Sequence, residues 1–178
     1  MSDPSRFEQC VLPHLDAAYN LARWLTRDTR DAEDVVQDAC LRALRYAGSL
    51  RGTDARAWLL TIVRNAFYEW LRNNRPAELA ADGEEAIESA VDPAAVDPQQ
   101  AAIRASEARA LADAVAELPL QYRETIVLRE LEGLSYKEIA RVTDVPIGTV
   151  MSRLARARTL LQQSPRLRAV AGPMSKGA

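Results

Sequence analysis

Between Pro76 and Pro98 the chain is composed mainly of Ala, Glu, Asp and Pro, with no aromatic residue and no sustained apolar period. Such a stretch buries too little apolar surface to offset the entropy of ordering it. It reads as a flexible acidic linker, so the 178 residues divide into two small modules rather than one large core. As a coil its 23 residues would span roughly 25 Å, and about 75 Å at full stretch. The modules could then occupy sites more than one DNA turn apart, a turn being about 34 Å.

Charge follows the same division. Residues 1–75 hold 11 basic and 10 acidic groups, residues 76–105 hold seven acids against Arg104, and residues 106–178 hold 11 basic groups against 8 acids. The formal net charge of -2 therefore conceals a basic second module, and from Ile147 onward there is no acid at all. Ala and Leu dominate while Gly (7) and Pro (9) are few, which favours helices over strands. No run approaches the roughly 18 uncharged apolar residues of a membrane span, and the N-terminus lacks a basic-then-apolar signal, so a cytoplasmic location is expected. Cys10 and Cys40 are too few for a disulfide scaffold and read as small buried hydrophobes. His14 lies four residues after Cys10, but Pro13 interrupts the helix and no third ligand is near, so neither metal nor cofactor is expected.

Three helical patterns organise the first module. One runs from about Pro13 to Thr26. A second follows Asp31, read as its cap, with Val36, Cys40, Ala43 and Leu44 as its apolar stripe. The third is the strongest: Trp58, Leu59, Ile62, Val63, Ala66, Phe67, Trp70 and Leu71 recur at three- and four-residue spacing, so one face must be buried; Thr53 or Asp54 would cap it. In the second module Asp97-Pro98 opens a helix marked by Ile103, Leu111, Val115 and Leu118. The next spans about Leu120 to Leu131, with Tyr122, Ile126, Val127 and Leu131 inward and Gly133 as its stop. Ser135-Tyr136-Lys137-Glu138 is a capping box, and after a break at Thr143 to Pro146 a last helix runs from about Ile147 to Gln162. The fold class is all-α.

A short capped helix, a tight break and a second helix with a basic outer side have the shape of a helix-turn-helix. Val150, Leu154, Ala157 and Leu161 face inward; Thr149, Ser152, Arg153 and Arg156 share the other face, spaced to reach base edges and phosphates in a major groove. In the first module Arg56, Arg64, Asn65, Tyr68, Glu69 and Arg72 line the polar side of the third helix, beside the loop Gly48-Ser49-Leu50-Arg51-Gly52. Together they could grip single-stranded or distorted DNA, or be an ordinary solvated face. Asp31, Glu33, Asp34, Gln37 and Asp38 cluster at the start of the second helix. Metal binding, dipole-favourable charge and docking on a basic partner are three readings of that cluster. There is no Gly-rich nucleotide loop and no Gly-x-Ser-x-Gly, so an enzyme is not expected.

The order of these parts is distinctive. Asp31-Ala32-Glu33-Asp34-Val35-Val36-Gln37-Asp38, Ala57-Trp58-Leu59-Leu60-Thr61-Ile62-Val63-Arg64-Asn65, Leu118-Pro119 with Gly133-Leu134-Ser135-Tyr136-Lys137-Glu138-Ile139-Ala140, and Gly148-Thr149-Val150-Met151-Ser152-Arg153-Leu154-Ala155-Arg156-Ala157-Arg158 closely resemble the extracytoplasmic-function class of bacterial sigma factors. The resemblance covers about residues 7–75 and 100–163. It implies a sigma-two domain at 1–75, a linker at 76–98, a sigma-four domain at 99–163 and a short basic tail at 164–178, expected to be disordered or a minor DNA contact.

By the same resemblance, core RNA polymerase would be docked by Asp31, Glu33, Asp34, Gln37 and Asp38. The opened minus-ten element would be held by Ser49, Leu50, Arg51, Arg56, Asn65, Tyr68 and Arg72, and the duplex minus-thirty-five element by Tyr136, Lys137, Thr149, Ser152, Arg153 and Arg156. An anti-sigma factor is implied as a further partner, with promoter DNA as the target. Met151 stands where the family often has a basic residue, which would remove a phosphate contact.

Overall fold

The computed structural model describes residues 4–50, 52, 54–74 and 97–170. Among them the regular structure is helical: α1 (Pro4–Val11), α2 (Leu15–Thr26), α3 (Thr29–Tyr46), α4 (Ala55–Asn74), α5 (Pro98–Ala116), α6 (Leu120–Ile126), α7 (Tyr136–Thr143), α8 (Ile147–Gln163) and α9 (Pro165–Val170). Short 3-10 turns at Leu12–His14 and Ala47–Ser49 and a π-helical turn at Val127–Leu131 complete the path.

The first module is built on α4. Its Leu59, Leu60, Val63, Ala66, Phe67 and Leu71 are buried against α2 and α3. Alanines at 32, 39 and 43 on α3 leave room for the bulkier side chains of its neighbours, Leu21 and Leu25 of α2 among them. Phe67 meets Trp70 in a stacked contact at 6.2 Å and Tyr68 edge-on at 5.2 Å. Trp58, Ile62 and Trp70, half-buried, close the rim of this core.

Local chemistry sets the helix ends, with several departures from the sequence reading. The N-terminal helical region begins earlier than Pro13, because α1 precedes the turn that Pro13 makes. Arg27 turns left-handed at φ 60° and ends α2. Asp28, rather than Asp31, caps α3, its side chain accepting from the N–H groups of Arg30 (2.8 Å) and Asp31 (3.0 Å). These bonds, that from Asp31 first, hold the Asp28 carboxyl below its usual range. Asp54 accepts from the N–H of Ala57 at the start of α4, while Thr53 and residues 75–96, which include most of the linker expected at 76–98, lie outside the described residues. Both cysteines are half-buried rather than enclosed.

In the second module Asp97 caps α5 and the capping box at Ser135 and Glu138 opens α7, as the sequence predicts. The buried residues of α5 are Ala110, Ala112, Ala114 and Ala116, which cover both sides of its C-terminal half. Ile103 and Leu111, which mark this helix in the sequence, are exposed, and so is Leu131, which is expected inside. For Leu131 the cause is the π turn: its wider spacing rotates the end of the helix away from the 3.6-residue phase assumed for it. Gly133, at φ +66°, then stops the chain's helical run. Residues 165–170 of the tail form α9, tied to α5 by Arg166, which pairs with Glu117 and lies 3.9 Å from Asp113; residues 171–178 lie outside the described set.

The two modules pack directly on each other, α4 against α7 and α2 against α6. Replacing Phe67 with Ala should cost about 3 to 5 kcal/mol of stability, as core aromatic truncations do. Chemical denaturation of the full chain followed by far-UV circular dichroism checks this.

Candidate functional site

Three faces carry the residues singled out from the sequence, and the structure treats them differently. On α3, Glu33, Asp34 and Gln37 are exposed, with Asp31 and Asp38 half-buried beside them. Asp38 pairs with Arg42 at 2.8 Å, and Arg42 also reaches Glu69 of α4 at 2.7 Å. Those two carboxylates raise the Arg42 guanidinium above its ordinary value, the hydrogen bond with Asp38 first. The acid row is thus braced at its end and open along Glu33, Asp34 and Gln37. These side chains project from successive positions on a helix and do not converge.

The second face is the polar side of α4. Asn65 and Arg72 are exposed. Ser49 is exposed too, its hydroxyl donating to the Tyr46 carbonyl at 2.7 Å. Leu50 departs from expectation: it is buried, and its carbonyl accepts from Arg6 at 2.6 Å, so its side chain belongs to the core and not to an open loop rim. Arg51 lies outside the described residues.

Arg56, Arg64 and Tyr68 point at the second module. Arg56 donates to the backbone carbonyl of Glu132 and pairs with its carboxylate at 2.7 Å. Asn20 of α2 donates to the other oxygen of that carboxylate at 2.5 Å. Arg64 Nε donates to Glu124 Oε1 at 2.5 Å, the Tyr68 hydroxyl donates to Oε2 at 3.2 Å, and the Arg64 guanidinium lies 4.5 Å from the centre of the Tyr68 ring.

Glu124 has no exposed surface and Glu132 only 4%. Burial pushes the Glu124 carboxyl up, the Arg64 guanidinium pulling it back. Burial, then the charge of Glu124, raises the Tyr68 hydroxyl well above its ordinary value. Sequence reasoning passed over Glu124, Glu132 and Asn20. No local signal marks Glu124: two residues from each of the inward Tyr122 and Ile126, it falls on the opposite side of a 3.6-residue helix.

The third face is α8. Val150, Leu154 and Ala157 are buried and Leu161 is half-buried, so the helix presents Ser152 and Arg156 outward, with Thr149 half-exposed. Ser152 donates to the Thr149 carbonyl at 3.0 Å. Met151 is also exposed. Lys137 of α7 is exposed, while Tyr136 is half-buried with the Arg129 guanidinium 4.9 Å from its ring centre, a position in the module's packing more than on its outer rim. Arg153 is half-buried, and its positive charge acts on both Glu124 and Tyr68. Arg153 is thus only partly open, leaving Arg156 as the fully outward guanidinium of the four residues expected to face a groove. A second apolar feature is a cleft that Trp24, Leu111, Val115, Leu131 and Leu161 line together.

Chemically, an open acid row suits a basic protein surface. Arginines with hydroxyl and amide neighbours suit phosphates and base edges. The turn between α7 and α8, with Asp144 left-handed at φ 54°, sets the recognition helix beside its supporting helix.

Comparison with known proteins finds matches over both modules. Residues 10–76 match sigma-70 region 2 and residues 108–161 match sigma-70 region 4. The chain is 34% identical to the RNA polymerase sigma-H factor of Pseudomonas aeruginosa, over 91% of this chain and 87% of that one. It is 36% identical to the ECF RNA polymerase sigma-E factor of Haemophilus influenzae, over 80% and 77% of the two chains. Among solved structures it resembles the sigma factor RpoE of Bartonella quintana in complex with the anti-sigma factor NepR, with a TM-score of 0.68 at 32% identity over 88% of this chain and 94% of that one. It also resembles CnrH in complex with the cytosolic domain of CnrY, with a TM-score of 0.61 at 27% identity over 90% and 88%.

The capping box yields a pH prediction. Hydrogen bonding, first from the Ser135 N–H, lowers the Glu138 carboxyl from its ordinary 4.5. A depressed carboxyl stabilises the fold fully above its unfolded value and loses that contribution as pH falls through the folded one. Glu138→Gln should therefore narrow its stability gap from wild type between about pH 6 and pH 3, and Ser135→Ala should cost about 1 kcal/mol at neutral pH. Urea midpoints measured across that range check both.

Proposed function

The chain belongs to the sigma-70 family of RNA polymerase sigma factors, in its extracytoplasmic-function class, and from that premise we propose how its parts divide the work. It is an alternative sigma factor: it binds core RNA polymerase, directs it to specific promoters and takes part in initiation without catalysing a reaction itself. Residues 1–75 serve as the polymerase-docking and minus-ten module, 76–98 as the linker, 99–163 as the minus-thirty-five module and 164–178 as a tail. The observation that carries this division is the presence, in one chain, of an open acid row on α3 and a basic helix-turn-helix at α7 and α8.

In this reading Glu33, Asp34 and Gln37 meet a basic polymerase surface, with Asp31 and Asp38 at the edge of the contact. Attraction between the acid row and cations steers association and weakens as salt rises. Arg56, Asn65, Tyr68 and Arg72, with Ser49 and Arg51 of the preceding loop, hold the opened minus-ten strand. A tyrosine ring offers a stacking platform for an unpaired base while arginines neutralise phosphates. Arg156 reads or anchors the minus-thirty-five duplex, supported by Arg153, Ser152, Thr149 and Lys137. The binding energy of these contacts, applied to melted DNA more than to duplex, favours opening at the promoter.

An anti-sigma factor is the regulatory partner this reading adds. The Bartonella quintana relative was solved with one, and such a partner would engage both modules. No helix among the described residues is long and apolar enough to cross a membrane. We place the protein with the polymerase in the cytoplasm.

Run-off transcription with purified bacterial core polymerase on a library of promoter fragments tests the assignment. New start sites sharing two spaced elements are expected only when the protein is added, and no binding to core would overturn it. The double substitution Asp34→Arg with Gln37→Arg should abolish co-elution with core while leaving the circular dichroism spectrum unchanged. Arg156→Ala should cost about 1 to 3 kcal/mol of promoter binding if the guanidinium contacts a base bidentately. A loss uniform across all duplex sequences would assign it to a phosphate instead.

A further inference from the structure

Most aromatic side chains of this protein are taken up by packing. Phe67 is buried, and Phe7, Trp24, Trp58, Tyr68, Trp70, Tyr122 and Tyr136 are half-buried against the core. Tyr46, the last residue of α3, is instead 59% exposed, well beyond Tyr19 at 36%. Tyr68, assigned above to the opened strand, also donates its hydroxyl proton to Glu124 at 3.2 Å.

The surroundings of Tyr46 follow from how α3 and α4 lie together. Asp34 and Asp38 line a small cavity with Asn73 and Asn74, and Arg42 pairs with Glu69 at 2.7 Å. Numbers rise along α3 as they fall along α4, so the two helices run antiparallel. Residues four apart on a helix share a face. Tyr46 is four residues beyond Arg42 and Asn65 is four before Glu69, which puts both on the next rung of the same groove. Asn65 is exposed there, and its amide offers the donor and acceptor that suit a base edge. Ser49, also exposed, donates its hydroxyl to the Tyr46 carbonyl at 2.7 Å.

Charge divides α3 into two ends. Glu33 and Asp34 are exposed at its start, whereas Arg45 is exposed beside Tyr46 and Arg72 farther along the Asn65 face of α4. From Asp34 to Tyr46 the helix climbs about 18 Å at 1.5 Å per residue. Between the ends Arg42, bonded to both Asp38 and Glu69, tempers the two carboxylates of the groove. Acids suit a basic protein surface at one end; an open aromatic ring with cations and an amide near it suits a single strand of nucleic acid at the other.

We propose that Tyr46 is a stacking platform for one unpaired base of the opened minus-ten strand, held in the groove between α3 and α4 with Asn65 at the base edge and Arg45 and Arg72 on flanking phosphates. The inference rests on the sigma-factor reading and adds to it a residue and a path, from the end of α3 to the polar side of α4. Bases in a duplex are stacked on one another, so the ring gains a partner only once the strand is open. That contact favours the melted promoter, since a ligand shifts an equilibrium by its differential affinity for the two states. An aromatic face accepts any base, so Tyr46 sets affinity while Asn65 sets preference.

The test uses holoenzyme assembled from purified core polymerase and the full-length protein. Its DNA is a promoter fragment recovered from the run-off library, prepared as a duplex and as forks with either minus-ten strand left unpaired. Tyr46→Ala should weaken binding to one fork about 5- to 100-fold, while Tyr46→Phe, which keeps the ring, should stay within about twofold of wild type. Tyr19→Ala, at the other exposed aromatic, should match wild type. Because Tyr46 lies outside the buried core, circular dichroism, duplex binding and co-elution with core should be unchanged in all of these variants. Removing bases one at a time from the unpaired strand should reveal one abasic position at which wild type and Tyr46→Ala bind equally, the ring having nothing left to stack on.

Fork binding by Tyr46→Ala equal to wild type overturns the platform. An equal loss in Tyr46→Phe overturns it too, by assigning the effect to the hydroxyl. So does a deficit that persists at every abasic position or that appears equally on duplex. Loss of co-elution with core by Tyr46→Ala would give the ring to the polymerase surface instead. A wild type that neither binds core nor starts at any promoter brings down the sigma-factor reading; a wild type that does both, with Tyr46→Ala indistinguishable from it, brings down the platform alone.

Discussion

A carboxylate taken out of water must be matched by cations and donors, and at Glu124 that requirement shapes how the two halves of the molecule meet. Desolvating an isolated carboxylate costs several kcal/mol, so Arg64, the Tyr68 hydroxyl and the field of Arg153 are gathered around it. Those partners come from α4 and α8, the helices assigned to the two DNA elements. Glu132 repeats the pattern with Arg56 and Asn20. The junction is consequently held by two charged clusters as well as by helix packing. In such a junction the loss of either partner would leave the other buried without its match.

The helices themselves follow from ordinary local rules, and the departures have identifiable causes. Asp28 displaced Asp31 as the cap of α3 because Arg27 adopts the left-handed conformation that ends α2, which puts the Asp28 side chain within reach of two free N–H groups. Leu131 turned outward because the π turn breaks the 3.6-residue phase on which its inward placement was predicated. Leu50 lies within a small, flexible-looking loop sequence, yet it is buried and its carbonyl holds Arg6. A single apolar side chain in a short polar loop can be drawn into a neighbouring core, and no periodicity reveals that in advance.

The charge pattern acquires a meaning in space that it lacks along the chain. The acid row of α3 faces solvent, Arg156 of α8 faces solvent, and the cations between them face the acids of the opposite module. A net charge of -2 is thereby arranged as one open anionic face, one open cationic helix and an internally neutralised junction.

By itself the sequence determined the helical class, the division at the acidic stretch, the caps at Asp97 and Ser135, the buried stripe of α4, the helix-turn-helix and the kinship with sigma factors. These are carried by local spacing and by order along the chain, which a linear reading captures. What only the tertiary structure decided is which polar residues face solvent: Arg56, Arg64 and Tyr68 read as an exposed polar side of α4 until α6 and the π turn bring Glu124 and Glu132 against them. Residues 60 positions apart meet there, and pairing at that separation depends on how two helices pack, a property that no local pattern encodes.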